Sequence, residues 1–191
     1  MTSDFSHRAQ SELPYAAVVI LEMPANWGEA IQLLVDVVRG NGSIGDDRPQ
    51  TIPLHCGNPD FDYKDVHSVP RMTLGAFRLA LETLYREATG RQLQFTLHGK
   101  PHRATYELAL KTIMQQTGAT APPATIICVG DNPLSDIKGA NDMGKPFKAV
   151  LVRTGVWQGQ EAETASTAPS RIYNDVFECV VDTLLAYSLS K

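Results

Sequence analysis

Apolar residues along this chain come in two rhythms. One is the short unbroken run: Tyr15–Leu21 (YAAVVIL), Thr51–Gly57 (TIPLHCG), Thr125–Val129 (TIICV) and Ala149–Val152 (AVLV). Runs of this length, rich in β-branched residues and bounded by Gly, Pro, Asn or Asp, read as strands; TIICV in particular reads as covered on both faces of a parallel sheet. The other rhythm is the spacing of amphipathic helices. Trp27, Ile31, Leu34, Val35 and Val38 share one face of a helix over 27–38, with Asn26 as N-cap, Glu29 as its capping-box partner and a glycine to end it. Phe77, Leu81, Leu84 and Tyr85 do the same over Leu74–Thr89, which Gly90 closes. Further helices are expected over about 102–116, from Gly139 to about Gly144, and over 175–186. Residues 61–73 read as irregular, 39–49 and 158–170 as loops, and 1–14 as a flexible lead-in. The order β-α-β, α, α, β, α, β, α is that of an α/β protein with parallel strands, 15–57 forming one right-handed β-α-β unit.

The 191 residues suffice for one domain or one and a fraction. A hydrophobic share of 43% and a charged share of 20% are ordinary for a globular chain, and a net charge of −4 with no basic stripe argues against nucleic acid. No apolar run approaches the roughly 20 residues of a membrane span, and the first fifteen residues lack the apolar middle of a secretory signal. Cys56, Cys128 and Cys179 are too scattered for a disulfide framework or a zinc site. The expectation is a soluble, cytoplasmic protein.

Candidate chemistry gathers after TIICV. The run stops at Gly130-Asp131-Asn132-Pro133, and a second carboxylate comes at Asp136. Ligands of open α/β sheets bind outside the carboxyl ends of the strands, and hard carboxylate oxygens suit Mg²⁺. The structural alternative is that Asp131 caps the next helix and Asp136 is a solvated first-turn acid. The glycines of 39–49 make no dinucleotide fingerprint, because no strand leads into them and no helix opens from them.

Asn58-Pro59-Asp60, then Gly99-Lys100-Pro101, then Gly130-Asp131 with Asp136, flowing on into Leu151–Val156 (LVRTGV), fall in one order. Together they resemble the C-terminal half of the haloacid-dehalogenase (HAD) superfamily, subfamily IIA. TLHGKPHRATYELAL and VGDNPLSDIKGAN look most like the branch named for the cat-eye-syndrome critical region. The resemblance covers about residues 15–160. It implies a three-layer Rossmann-like core with a partial parallel sheet and the remnant of an α/β cap, with 15–57 the end of the cap and 58–191 the second half of the core. The implied reaction is Mg²⁺-dependent hydrolysis of a small phosphomonoester through an aspartyl-phosphate. Lys100 matches the lysine that neutralises the nucleophile and the phosphoryl group. Asp131 and Asp136 match the metal acids, with Asn132 and Ser135 supporting them. Asn58 and Asp60 match a segment near the substrate, though an Asn-Pro turn explains them equally well.

The family's nucleophile lies in an Asp-x-Asp-Gly stretch after its first core strand. In this sequence the only Asp-x-Asp is Asp60-Phe61-Asp62, with a tyrosine after it. Two expectations result: a hydrolase portion whose nucleophile comes from a longer parent chain or a partner chain, or a non-catalytic HAD-fold protein kept for binding or assembly. The first implies weak Mg²⁺ affinity in this chain alone, and a mitochondrial location if a longer parent carries a transit peptide. In the family's sheet the nucleophile strand lies beside the strand ending at Asp131. Residues 125–129 are therefore expected at a sheet edge that can self-associate, with Asp131 beside an incomplete cleft. Neither nucleic acid nor membrane is an expected partner.

Overall fold

The computed structural model describes residues 15–41, 46–157, 159 and 164–189; the lead-in over 1–14 and parts of both predicted loops lie outside them. They form two compact units. The first takes the described residues up to Asp62 together with Met72–His98, and the second takes Tyr63–Arg71 and the residues from Gly99 onward. A partition at 57/58 thus falls inside the first unit.

In the first unit, β1 (Val18–Ile20), β2 (Leu54–Cys56) and β5 (Phe95–Leu97) make a parallel sheet in the order β1-β2-β5. Two helices, α1 (Trp27–Gly40) and α2 (Leu74–Thr89), supply the other half of its core. Alternation along the strands explains the packing. Ile20, Leu54 and Cys56 are buried with Val35, Val38, Phe77, Leu81 and Tyr85, each large side chain stabilising the unit by roughly 1.5–3 kcal/mol. The intervening residues, Val19, His55 and Thr96, pair across the opposite face. Val19 is 57% exposed and Leu21 is 75% exposed, so the described residues cover this sheet on one face only. Phe95–Leu97 was not expected as a strand; three residues between Gln94 and His98 are too short a run to announce one.

The N-cap of α1 is as the sequence predicts: Asn26 Oδ1 accepts from the Glu29 amide at 3.2 Å, and Asn26 Nδ2 donates to Glu29 Oε2 at 2.9 Å. Its end is not. Gly40 stays helical, and Asn41 takes the left-handed position at φ 50°, which asparagine tolerates better than most residues. The bounds of α2 match the prediction and Gly90 closes it at φ 69°, but Leu84 faces solvent. The stretch expected to be irregular contains two paired two-residue strands, β3 (Asp62–Tyr63) and β4 (Arg71–Met72).

The second unit holds a parallel sheet in the order β6-β7-β8, from Ile126–Gly130, Phe147–Val152 and Arg171–Tyr173. Helices α3 (Arg103–Thr117), α4 (Lys138–Met143) and α5 (Val176–Leu189) complete it, with a π-helical turn over Pro133–Ile137 before α4. Its core is Tyr106, Ile137, Ala140, Phe147, Ala149 and Leu151. Among the described residues β6 pairs with β7 alone, so it is an edge strand. The reading of TIICV as covered on both faces is also corrected: Ile126, Ile127 and Cys128 are half-buried, and Thr125 and Val129 are exposed. Among the described side chains of α5 only Cys179 is buried, while Phe177, Val180, Leu184 and Leu185 face out. The whole is an α/β fold with parallel sheets.

Candidate active site

The chain leaves β6 at Gly130 and folds back at once. Asn132, not Asp131, caps the π turn: its Oδ1 accepts from the Leu134 amide at 2.9 Å, and Pro133 opens the turn. The Asn132 carbonyl accepts from the amides of Asp136 and Ile137 at 2.9 and 3.4 Å. A π turn of this kind is wider than an α turn and recurs at functional sites. Here it carries Asp136 back against the strand end. A Cβ on Gly130 would lie 2.2–2.4 Å from the Asp136 side chain, so only glycine permits the approach.

Asp136 is 7% exposed and accepts two hydrogen bonds. Its Oδ1 takes one from Lys100 Nζ at 2.5 Å, and its Oδ2 takes one from the Asn132 amide at 3.1 Å. A carboxylate so far from water requires such partners. The end of β7 serves Asp131: the Val156 amide donates to Asp131 Oδ2 at 2.7 Å, and a Cβ on Gly155 would lie 1.8 Å from that oxygen. Burial pushes the neighbouring Cys128 thiol up, and the Asp136 charge adds to the shift.

Behind the acids stands Tyr106, the buried residue of α3. Its hydroxyl donates toward the carbonyls of Ser135 and Asp136 at 3.3 and 3.1 Å. Sequence reasoning missed it, because a lone tyrosine in a helix carries no motif. Tyr106→Phe removes those bonds while keeping the ring. The expected cost is about 1 kcal/mol, read as a lower denaturation midpoint with unchanged slope.

Of the residues singled out by sequence, Lys100, Asp131, Asn132 and Asp136 come together in the second unit. Asn58 and Asp60 lie in the first and serve its architecture: Asn58 Oδ1 accepts from the Asp60 amide at 2.9 Å, and the Asp60 carbonyl accepts from the Gly75 amide at 2.8 Å, seating α2. Two carboxylates with hard oxygens fit part of a Mg²⁺ shell. Two details support the fit. Ser135 Oγ is buried with no hydrogen-bond partner, and the two glycines leave the space the carboxylates occupy. Among the described residues no three His, Cys, Asp or Glu side chains converge to hold a metal, so water and a phosphate would have to supply the remaining ligands.

Residues 97–179 match a family model described as HAD-hydrolase-like. The chain is 33% identical over 174 residues to the cardiolipin synthase (CMP-forming)/mitochondrial hydrolase fusion protein of Schizosaccharomyces pombe, covering 87% of this chain and 29% of that one. It is 31% identical over 202 residues to a mitochondrial hydrolase of Saccharomyces cerevisiae, covering 91% of this chain and 56% of that one. Among solved structures, a hypothetical protein from Pyrococcus horikoshii superimposes with a TM-score of 0.62 at 23% identity, over 88% of this chain and 54% of the other. A possible sugar phosphatase of the HAD superfamily from Cytophaga hutchinsonii gives 0.58 at 23%, over 83% and 51%. The chain thus spans between about a quarter and three-fifths of the length of the curated relatives it matches.

Proposed function

This chain is HAD-hydrolase-like over residues 97–179, the stretch that holds Lys100, Asp131 and Asp136, and we propose that it is the C-terminal portion of a Mg²⁺-dependent phosphomonoester hydrolase of subfamily IIA, in the branch named for the cat-eye-syndrome critical region. The observation that carries the reading is the Lys100–Asp136 pair at the carboxyl end of β6, where two glycines leave room for the carboxylates.

Each residue has a task. The Lys100 ammonium, 43% exposed, can turn from Asp136 to the equatorial oxygens of a phosphoryl group, where a compact point charge offsets developing negative charge. Asp131 is held through Oδ2 by the Val156 amide, and together with Asp136 it would hold the cation. Mg²⁺, when bound there, supplies electrostatic stabilisation of the phosphoryl oxygens. Asn132 fixes the turn that aims Asp136. The nucleophilic aspartate comes from a segment beyond these 191 residues, and the first unit is the end of a cap. The mitochondrial names of both curated relatives favour that location.

The 191-residue chain alone is expected to show no Mg²⁺-dependent turnover of an aryl phosphate; turnover that Lys100→Ala abolishes would overturn the missing nucleophile. Calorimetry should show weak Mg²⁺ binding that Asp131→Asn removes. With Mg²⁺ present, inorganic phosphate should shift the amide resonances of Lys100, Asp131 and Val156, and Lys100→Ala should erase those shifts. Tight Mg²⁺ binding indifferent to Asp131→Asn, or no phosphate effect at these amides, contradicts the assignment.

A further inference from the structure

The face of the first unit's sheet that the described residues leave uncovered carries a pair of histidines. His55 stands on β2 and His98 just past β5, one pleat beyond Thr96, which pairs with His55 across the sheet. Hydrogen bonds from the Gly57 amide to the Ile20 carbonyl at 2.9 Å and from the His98 amide to the Cys56 carbonyl at 2.8 Å extend the ladder past the strand ends. This keeps Leu21, Gly57 and His98 on the same face as Val19, His55 and Thr96.

His55 Nδ1 and His98 Nε2 are 3.0 Å apart, with ring centroids 5.3 Å apart and planes inclined by 27°. The centroid separation is the N···N distance plus about one ring diameter. The imidazoles therefore meet edge to edge, near coplanar, joined by one N–H···N bond along their lone-pair axes. Lone pairs aimed at each other do not converge on a shared metal.

The proton inventory of such a pair is restrictive. Two neutral rings hold two N–H protons. One fills the bridge, so the outer nitrogens, His55 Nε2 and His98 Nδ1, present one donor and one acceptor. A third proton keeps the bridge, makes both outer nitrogens donors and gives the pair a charge of +1. At the strand positions of this face Val19, Leu21 and Thr96, none of them charged, stand beside the pair. Exposed Val19 and Leu21 offer an apolar surface beside the polar pair. The site lies at the carboxyl ends of parallel strands, where sheets of this class take ligands.

We propose that the His55–His98 pair is an oxyanion-binding site of the first unit, holding the phosphate of a small phosphate ester whose organic body lies on Val19 and Leu21. It is made wholly within that unit and uses neither Lys100 nor the acids.

The test is nuclear magnetic resonance on the whole chain with ¹⁵N-labelled histidine, titrated with inorganic phosphate and with phenyl phosphate. A coupling across the hydrogen bond between His55 Nδ1 and His98 Nε2 is expected, as are phosphate-induced shifts at both outer nitrogens. His98→Ala and, separately, His55→Ala should weaken binding about tenfold or more, the loss of a charge-assisted hydrogen bond, with amide spectra showing an intact fold. Phenyl phosphate should bind more tightly than inorganic phosphate and shift Val19 and Leu21. Lys100→Ala should leave all of this unchanged. Imidazole resonances that ignore both probes, or wild-type affinity in His98→Ala, overturn the inference. Shifts confined to Lys100, Asp131 and Val156 would do so too while supporting the hydrolase assignment. Imidazole shifts with silent Lys100 and Asp131 amides would uphold this inference and reject that assignment.

Discussion

Gly139→Ala, the addition of one methyl group in α4, is expected to destabilise the second unit by about 3 kcal/mol, the upper end for overpacking a close-packed interior. A Cβ at this position would meet the Tyr106 hydroxyl at 2.3 Å and its ring carbons at 2.5 and 2.6 Å. The tyrosine has nowhere to retreat. It is 6% exposed, packs edge-on against Phe147 with centroids 5.6 Å apart, and holds the Ser135 and Asp136 carbonyls. Displacing it moves the π turn, and with the turn goes the carboxylate that Lys100 pairs. Two readouts should change together: the unfolding midpoint falls, and the Lys100 and Asp131 amide shifts induced by Mg²⁺ and phosphate vanish. Alanine ordinarily favours a helix over glycine by about 1 kcal/mol. A neutral or stabilising result would therefore show that Tyr106 does not press on α4 as described.

The contrast with Tyr106→Phe isolates the mechanism. That variant removes two hydrogen bonds and keeps the ring where it is, so it costs about a third as much. Were the hydroxyl the main restraint on Asp136, the two variants would disturb the site equally.

The sequence made some of this legible and hid the rest for physical reasons. The α2 boundaries and its Gly90 cap were readable because a strong 3.6-residue pattern ends at a residue suited to the left-handed conformation. Asp131 and Asp136 stood out because polar residues cluster at the end of an apolar run, and Lys100 only because its Gly-Lys-Pro setting resembles a known family. The π turn was not: Pro133-Leu-Ser-Asp-Ile137 has the composition of any first helical turn, and the close approach of Asp136 to Gly130 is set by folding. Nor did periodicity reveal β5, β3 or β4, whose two or three residues are fewer than a pattern needs. The His55–His98 bond joins side chains 43 residues apart on neighbouring strands. Only the register of β2 against β5 brings them together.

Burial shows most clearly where the sequence and this chain disagree. TIICV is written for the middle of a sheet, and among the described residues of the second unit it is an edge. It carries no charge, proline or bulge, the devices that keep an edge from pairing. Val129 is 37% exposed, and one row of backbone N–H and C=O groups on β6 meets no strand among the described residues. The 191-residue chain is therefore expected to self-associate through β6, its sedimentation coefficient rising with concentration across the micromolar range. Val129→Lys places a charge on that edge, outside the residues that hold the acids. It should shift association to at least about tenfold higher concentration, a penalty of about 1.4 kcal/mol, while leaving the unfolding midpoint within about 0.5 kcal/mol of wild type. If the proposed nucleophile segment pairs beside β6, supplying it in trans should dissolve the assembly and produce Mg²⁺-dependent phosphatase activity in the same titration. A chain that stays monomeric at high concentration, with β6 amides protected from hydrogen exchange on both sides, would mean that the edge is already covered and that the cleft beside Asp131 is closed.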